Sequence, residues 1–222
     1  SGTSVNTTAG ISISKYSGTG SAGTIGHGLG VAPSVIIVKN RSVNDNWRVQ
    51  TIGDATDYMA WNWTGASTDD ASSWNDTAAT STVFTVGNDA NTNRSGSSFL
   101  AICFAHVEGF SKSGWYRGNA SADGPFNYTG FRPAYLMLKI RSSTVSGGGD
   151  WIIRDSKRDV YNPANSVVYT NLNAAESTTS MLVDLLSNGF KIRSNHDDHN
   201  KNTETIWWMA FAETPFKYAN AR

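Results

Sequence analysis

Short apolar runs separated by polar, turn-forming residues dominate this chain. The run Ser34-Val35-Ile36-Ile37-Val38-Lys39-Asn40 follows Pro33 and precedes Arg41-Ser42, and Ala134-Tyr135-Leu136-Met137-Leu138-Lys139-Ile140-Arg141 follows Pro133 in the same way. Both runs are short and aliphatic, so strands are predicted over 34–40 and 134–141. A proline where a strand begins removes no ladder hydrogen bond. Residues 99–107 and 205–212 are apolar on both alternating faces. Central strands covered on both sides are predicted there, as in a packed sandwich. Residues 182–186, then Ser187-Asn188-Gly189, then Phe190-Lys191-Ile192, read as a hairpin, because Asn-Gly tolerates positive φ. A short helix over 181–186 is the competing reading. The expected core includes Ile36, Val38, Phe104, Leu136, Leu138, Met209 and Phe211.

The pattern occurs twice. From Gly30 to Ser42 and from Gly130 to Ser142, Gly, Pro, Lys, Arg and Ser coincide without gaps. Asn46-Trp47-Arg48-Val49 then matches Asp150-Trp151-Ile152-Ile153. Phe84-Thr85-Val86 matches Phe190-Lys191-Ile192, and Ile102-Cys103-Phe104-Ala105 matches Met209-Ala210-Phe211-Ala212. Tyr16-Ser17-Gly18 and Tyr116-Arg117-Gly118 open the two series. Matches in one order along both halves imply an internal repeat, 1–108 and 109–222. No Pro/Gly/Ser linker separates Val107-Glu108 from Gly109-Phe110-Ser111. A single pseudo-symmetric domain over 1–222 is therefore expected, with 33–41 and 133–141 related by an approximate two-fold axis. The expected fold is all-β: an antiparallel β-sandwich, jelly-roll or lectin-like.

Composition narrows the chemistry. Gly, Ser, Thr and Asn are abundant and charged residues are few, while 8 Trp, 8 Tyr and 9 Phe supply a core. The formal net charge is zero, without the basic excess of a nucleic-acid binder. The single Cys103 lies within Phe99-Leu100-Ala101-Ile102-Cys103-Phe104-Ala105 and reads as a small buried hydrophobe. A disulfide scaffold is excluded. No apolar run approaches the ~18 residues of a membrane span, and none resembles a signal peptide. Folding in a bacterial cytoplasm, without membrane insertion, is expected.

One stretch concentrates chemistry. Residues 57–76 hold Tyr58, Trp61, Trp63, Asp69, Asp70 and Trp74. Aromatic rings stack on the apolar faces of sugars, while carboxylates and amides take hydroxyls, and indole suits a half-wet site. The corresponding stretch, Tyr169-Thr170-Asn171-Leu172-Asn173, is poorer in aromatics. The six residues are the candidate glycan site; the alternative is that Trp61 and Trp63 fill the core between sheets. Asn195-His196-Asp197-Asp198-His199-Asn200 could hold a transition ion, but it lacks zinc spacing and falls where a polar loop between strands is expected. No metal or cofactor is expected. His27, within Gly26-His27-Gly28-Leu29-Gly30, reads as a turn residue. Phosphate-cradle and nucleophile-elbow motifs are missing. Asp69, Asp70, Asp155, Asp159 and Glu176 are the carboxylates a glycosidase would draw on, but nothing in the sequence pairs them across a cleft.

Gly26-His27-Gly28-Leu29-Gly30, Pro33, the run 35–42 and Asn46-Trp47 resemble a recurrent domain of phage tail-fibre and related virion proteins, often of marine phages. So do Ser121-Ala122-Asp123-Gly124-Pro125-Phe126, Tyr128-Thr129-Gly130-Phe131-Arg132-Pro133, Ser187-Asn188-Gly189-Phe190-Lys191 and Met209-Ala210-Phe211-Ala212-Glu213. The resemblance runs from about Ala9 to Tyr218. Its motifs are turns, strand starts and core aromatics, and it carries no catalytic set. It implies a virion context: an attachment module meeting other virion proteins and a host-surface glycan or receptor, without turnover. A homotrimer, as in tail fibres, is a further expectation. A ligand-free fibre spacer or head decoration, and a polysaccharide-depolymerising glycosidase, are the alternatives.

Overall fold

A computed structural model of the chain describes residues 2–52, 54–141 and 149–213. Residues 142–148, with Ser142 at the end of the second motif, lie outside the described residues. The chain divides into two compact units: unit one is Ser1–Trp63 with Ser67–His106, and unit two is Thr64–Ala66 with Val107–Arg222. Both are built from antiparallel sheets, and the chain is a nearly all-β, sandwich-type protein.

Unit one holds β1 (Gly2–Asn6), β2 (Ile11–Ser17), β3 (Gly23–Gly26), β4 (Val35–Asn40), β5 (Arg48–Thr51), β6 (Asp54–Ala60), β7 (Thr68–Asp69), α1 (Ala71–Trp74), β8 (Val83–Val86), α2 (Ala90–Asn93) and β9 (Ser98–Phe104). Seven strands form one sheet in the order β1-β2-β9-β4-β5-β6-β7, and β3 pairs with β8 in a second. Strands alternate their side chains between faces. Ile36 and Val38 of β4 therefore reach the core with Tyr16, Trp74, Phe84, Phe99, Ala101 and Cys103. Full burial of each large apolar side chain contributes roughly 1.5–3 kcal/mol. Val35 and Ile37, on the opposite face, are buried too.

Unit two holds β10 (Ser111–Arg117), β11 (Phe126–Tyr128), β12 (Tyr135–Ile140), β13 (Ile152–Asp155), β14 (Ala164–Tyr169), β15 (Ser177–Leu186), β16 (Gly189–Ile192), α3 (Asp197–Asn200) and β17 (Thr205–Phe211). Its eight strands form one continuous sheet, β10-β17-β12-β13-β14-β15-β16-β11. The predicted hairpin at 182–192 is present, with Leu186 opposite Gly189, and the helical alternative is not. Leu136 and Leu138 enter the core with Phe190, Ile206 and Trp208.

Several sequence matches have a local cause. Gly30 and Gly130 both have positive φ, +77° and +88°, a conformation that costs glycine little. Each turn delivers the chain to a proline just before β4 or β12. Ile36 of β4 faces Gln50 of β5, and Leu136 of β12 faces Arg154 of β13. Tyr16 donates its hydroxyl to the Thr92 carbonyl at 2.5 Å, and Tyr116 donates to that of His199 at 2.6 Å.

Two core assignments need correction. Phe104 and Phe211 are half-buried. Each lies on the face of its strand opposite the core cluster, which takes Phe99, Ala101 and Cys103 from β9 and Ile206, Trp208 and Ala210 from β17. Phe211 rests against Phe110 and Tyr135, with ring centroids 5.8 and 6.0 Å away.

The units differ in how the sheet continues beyond β6 and β14. In residues 177–186, Met181, Val183 and Leu185 alternate inward and make β15 a strand that joins β14 to β16. Unit one instead has Asp70 capping the one-turn α1 and Asn75 ending it in the left-handed region. The small polar stretch that follows, Asp76-Thr77-Ala78-Ala79-Thr80, has no apolar alternation.

Candidate functional site

The residues flagged at 57–76 occupy three environments. Trp74 is fully buried in the unit-one core, so it is removed from the candidate surface: α1 turns its side chain into the cluster that holds Tyr16, Phe84 and Phe99. Asp70 is the N-cap of α1, and its carboxylate accepts from the Ser72 N–H at 2.9 Å. A cap of this kind is typically worth ~1 kcal/mol. Tyr58 packs against the core edge under Arg48, whose guanidinium carbon lies 3.5 Å from the ring centroid. Arg48 also pairs with Asp89 at 2.9 Å. Burial works against the charge on Asp89, but donors from Asn91 and the Arg48 guanidinium outweigh it and hold its pKa below the ordinary carboxylate value.

Trp61 and Trp63 remain at the surface. The Trp63 N–H donates to the Ala60 carbonyl at 3.2 Å, which closes a turn after β6. Trp61 is half-buried and meets Trp47 edge to face, centroids 5.9 Å apart. Trp63 is 49% exposed. Asn62 clasps the turn onto β5: its Oδ1 accepts from the Trp47 N–H at 3.0 Å, and its Nδ2 donates to Asn46 Oδ1 at 2.9 Å. The Trp61 N–H returns to the Trp47 carbonyl at 3.0 Å. Lys39 Nζ stands 6.0 Å from the Trp47 ring and donates to the Asp45 carbonyl at 2.8 Å. Asp69 is exposed on β7, opposite Asp57. Asp57 precedes Trp61 by four residues, about 13 Å along a strand.

The surviving site is thus a tryptophan turn: an exposed indole, a second indole braced by a third, and two exposed amides. Sequence reasoning found Trp61 and Trp63 and missed the clasp of Lys39, Asn46, Trp47 and Asn62. The signal was available in the Trp47/Trp151 match.

Other flagged residues have structural roles. His27 accepts the Leu29 N–H through Nδ1, so its Nε2 carries the proton and donates to the Thr80 carbonyl at 3.1 Å. Burial lowers its pKa, which favours this neutral form. His196 Nδ1 accepts from the Asp198 N–H and caps α3, while His199 Nε2 and Ser194 Oγ are 2.6 Å apart in the interior. Asp155 and Glu176 share Arg158, and Asp159 accepts from the Ser166 N–H and hydroxyl. Unit two exposes aromatics that sequence reasoning passed over: Trp115, Phe126 and Tyr128, with Lys112 Nζ 5.0 Å from the Tyr128 ring.

A family model described as a domain of unknown function (DUF7483) matches residues 1–215. The chain belongs to the DUF7483 family. No curated protein and no solved structure matches it. In this DUF7483 domain the tryptophan turn is built on β5 and β6, strands fixed by sheet pairing on both sides. Its indoles are therefore carried on a rigid base.

Proposed function

We propose that this domain is a non-catalytic attachment module of a phage particle, and that the tryptophan turn of unit one takes host-surface glycan. The observation that carries the reading is Trp63, a half-exposed indole held in a hydrogen-bonded turn beside Trp61 and Asn62. An indole fixed this way gives a sugar ring an apolar face without the entropy cost of ordering a loose loop. Nearby amides retain capacity for hydroxyls. The virion setting rests on the motif resemblance. A weak site of this kind gains from many copies on one particle through avidity.

Titration with host polysaccharide, followed by tryptophan fluorescence, tests the reading. A saturable change lost in Trp63→Ala supports it. No change with polysaccharide from any susceptible host removes it and favours the ligand-free structural reading. That second reading has its own support, because Asn46 and Asn62 already bond each other. Release of reducing ends would replace both with a glycosidase.

A further inference from the structure

Unit one has a cavity at the end of β5 opposite Trp47. It measures about 330 Å³ and is lined by Ala32, Pro33, Ile36, Gln50, Asp54 and Ala79, among others. Gln50 is 5% exposed, and its amide nitrogen has no hydrogen-bond partner among the described residues. An unmet buried donor costs roughly 1–3 kcal/mol, and this one belongs to a side chain that lines the cavity.

The corresponding register position in unit two explains what is different. Gln50 lies opposite Ile36, and Arg154 lies opposite Leu136. Arg154 is fully buried, and its guanidinium donates to the carbonyls of Ala164 at 3.2 Å, Ser166 at 3.3 Å and Met181. Met181 belongs to β15, ten residues long, whereas the strand that pairs with β6 in unit one, β7, has only two residues. Unit two therefore fills this position from within. Unit one has a shorter side chain, only the two-residue β7 beyond β6, and a cavity walled by Ala79.

We infer that the cavity is a binding site for one neutral, hydroxylated ring: a single sugar residue. Three observations select this class. The Gln50 amide calls for an acceptor. Asp54, held by accepting the Thr56 hydroxyl at 3.0 Å and the Asp57 N–H at 3.2 Å, places a carboxylate on the wall, which disfavours anions. Hydroxyl groups are both donor and acceptor. The remaining walls, Ala32, Pro33, Ile36, Ile52, Ala55 and Ala79, suit C–H faces. A cation would meet the positive end of the Gln50 amide. The volume stands at the small end of the ~300–1,000 Å³ range of ligand sites, so one ring is accommodated. The inference shares its ligand class with the proposed glycan function but uses a separate set of residues.

The test is NMR of the whole chain with labelled Ile and Ala methyl groups, titrated with D-glucose, D-galactose, N-acetylglucosamine and L-rhamnose. The Ile52 and Ala79 methyls should shift saturably with at least one sugar. Gln50→Arg, which copies unit two, should weaken that binding at least tenfold. If that variant does not fold, Ala79→Phe fills the cavity from the other wall and should do the same. No saturable shift with any of the four sugars overturns the site. So does an equal response to guanidinium or acetate, or binding that survives both fillings. Tryptophan fluorescence separates the two proposals. Methyl shifts without an indole response keep the cavity and remove the tryptophan turn, and the reverse result keeps the turn and removes the cavity.

Discussion

The clasp around Trp47 and the clasp around Trp151 use one set of hydrogen bonds to opposite ends. In both, an Asn Oδ1 accepts a tryptophan N–H, at 3.0 Å from Trp47 to Asn62 and 2.9 Å from Trp151 to Asn171. In both, the Asn Nδ2 reaches the residue before that tryptophan, Asn46 at 2.9 Å or Asp150 at 2.7 Å. In both, a lysine Nζ stands 6.0 Å from the indole. The surroundings then diverge. Trp151 is buried against Trp207, 5.8 Å away, and Lys139 is fully buried, donating to the carbonyls of Gly149 at 2.6 Å and Thr64 at 2.7 Å. Trp47 is half-buried, and the turn beside it carries Trp61 and Trp63 where the second clasp carries Thr170 and Leu172. The backbone scheme is constant, and what the side chains do with it separates a sealed element from a presenting one.

The largest expected effect lies at the other end of the same strands. Arg154→Ala removes a buried guanidinium and leaves the carbonyls of Ala164, Ser166 and Met181 without it. Each buried acceptor left without a partner costs ~1–3 kcal/mol, and three are left here. Gln50→Ala removes a donor that has no partner and should cost ~1 kcal/mol or less. Urea unfolding of the two variants measures both. Equal losses would mean that the cavity is as tightly packed as the arginine site, and the contrast between units would collapse at this position.

The next effect is pH-dependent. Burial lowers the Lys139 pKa from 10.5 to about 8, against the opposing influence of Asp150 and Asp198. Between those values the unfolded chain holds a proton that the folded chain has released. Folding stability contributed by this group therefore rises as pH increases from about 8 to 10.5, and below about 8 the full penalty applies. At 1.36 kcal/mol per unit the change is of order 3 kcal/mol. Lys139→Met lacks it. The stability of wild type minus that of the variant should increase from pH 7.5 to pH 10 in thermal unfolding. No increase, or a decrease, would show that the ammonium is solvated.

Much of this architecture was legible in the sequence, for identifiable reasons. Strands β4 and β12 follow from aliphatic runs after a proline, and the β15–β16 hairpin follows from Asn188-Gly189. The surface state of Trp63 was one of two readings, and only packing decides it. Trp74 could not be separated from Trp61 and Trp63 by residue type, because its inward turn depends on the Asp70 cap and on α1, four residues long. Phe104 and Phe211 read as core because a run that is apolar on both alternating faces does not reveal which face meets the core cluster. The cavity was invisible: Gln50 and Arg154 are both long polar residues in strand-like contexts, and their difference in fate depends on β15, more than twenty residues further along.

The clasp asparagines should give a smaller, graded pair of effects. Asn171→Ala removes the partner of the Trp151 N–H within a half-buried clasp, while Asn62→Ala exposes the Trp47 N–H to water. A lost hydrogen bond to a group that solvent cannot reach costs ~1–3 kcal/mol, against ~0.5–1.5 kcal/mol where water can replace it. Chemical denaturation should place Asn171→Ala above Asn62→Ala. The reverse order would make the exposed turn the more tightly held of the two.

The smallest effect on stability is expected where the largest effect on function is proposed. Trp63 is 49% exposed and Leu172, two residues after Thr170 as Trp63 is after Trp61, is 43% exposed. Truncating exposed side chains away from caps and buried networks usually changes stability by no more than ~0.5 kcal/mol. Trp63→Ala and Leu172→Ala should therefore unfold at nearly the wild-type urea concentration. Only the first should lose polysaccharide binding, because the indole in unit one is the proposed stacking surface and the leucine in unit two has no aromatic face to offer. The pair separates presentation from support in a way that the clasp variants cannot, since those change both. A Trp63→Ala protein that unfolds more than ~1 kcal/mol more easily would return this indole to a packing role, beyond the range for exposed positions. A stable Trp63→Ala protein that binds polysaccharide as well as wild type would leave the turn intact and remove its proposed ligand.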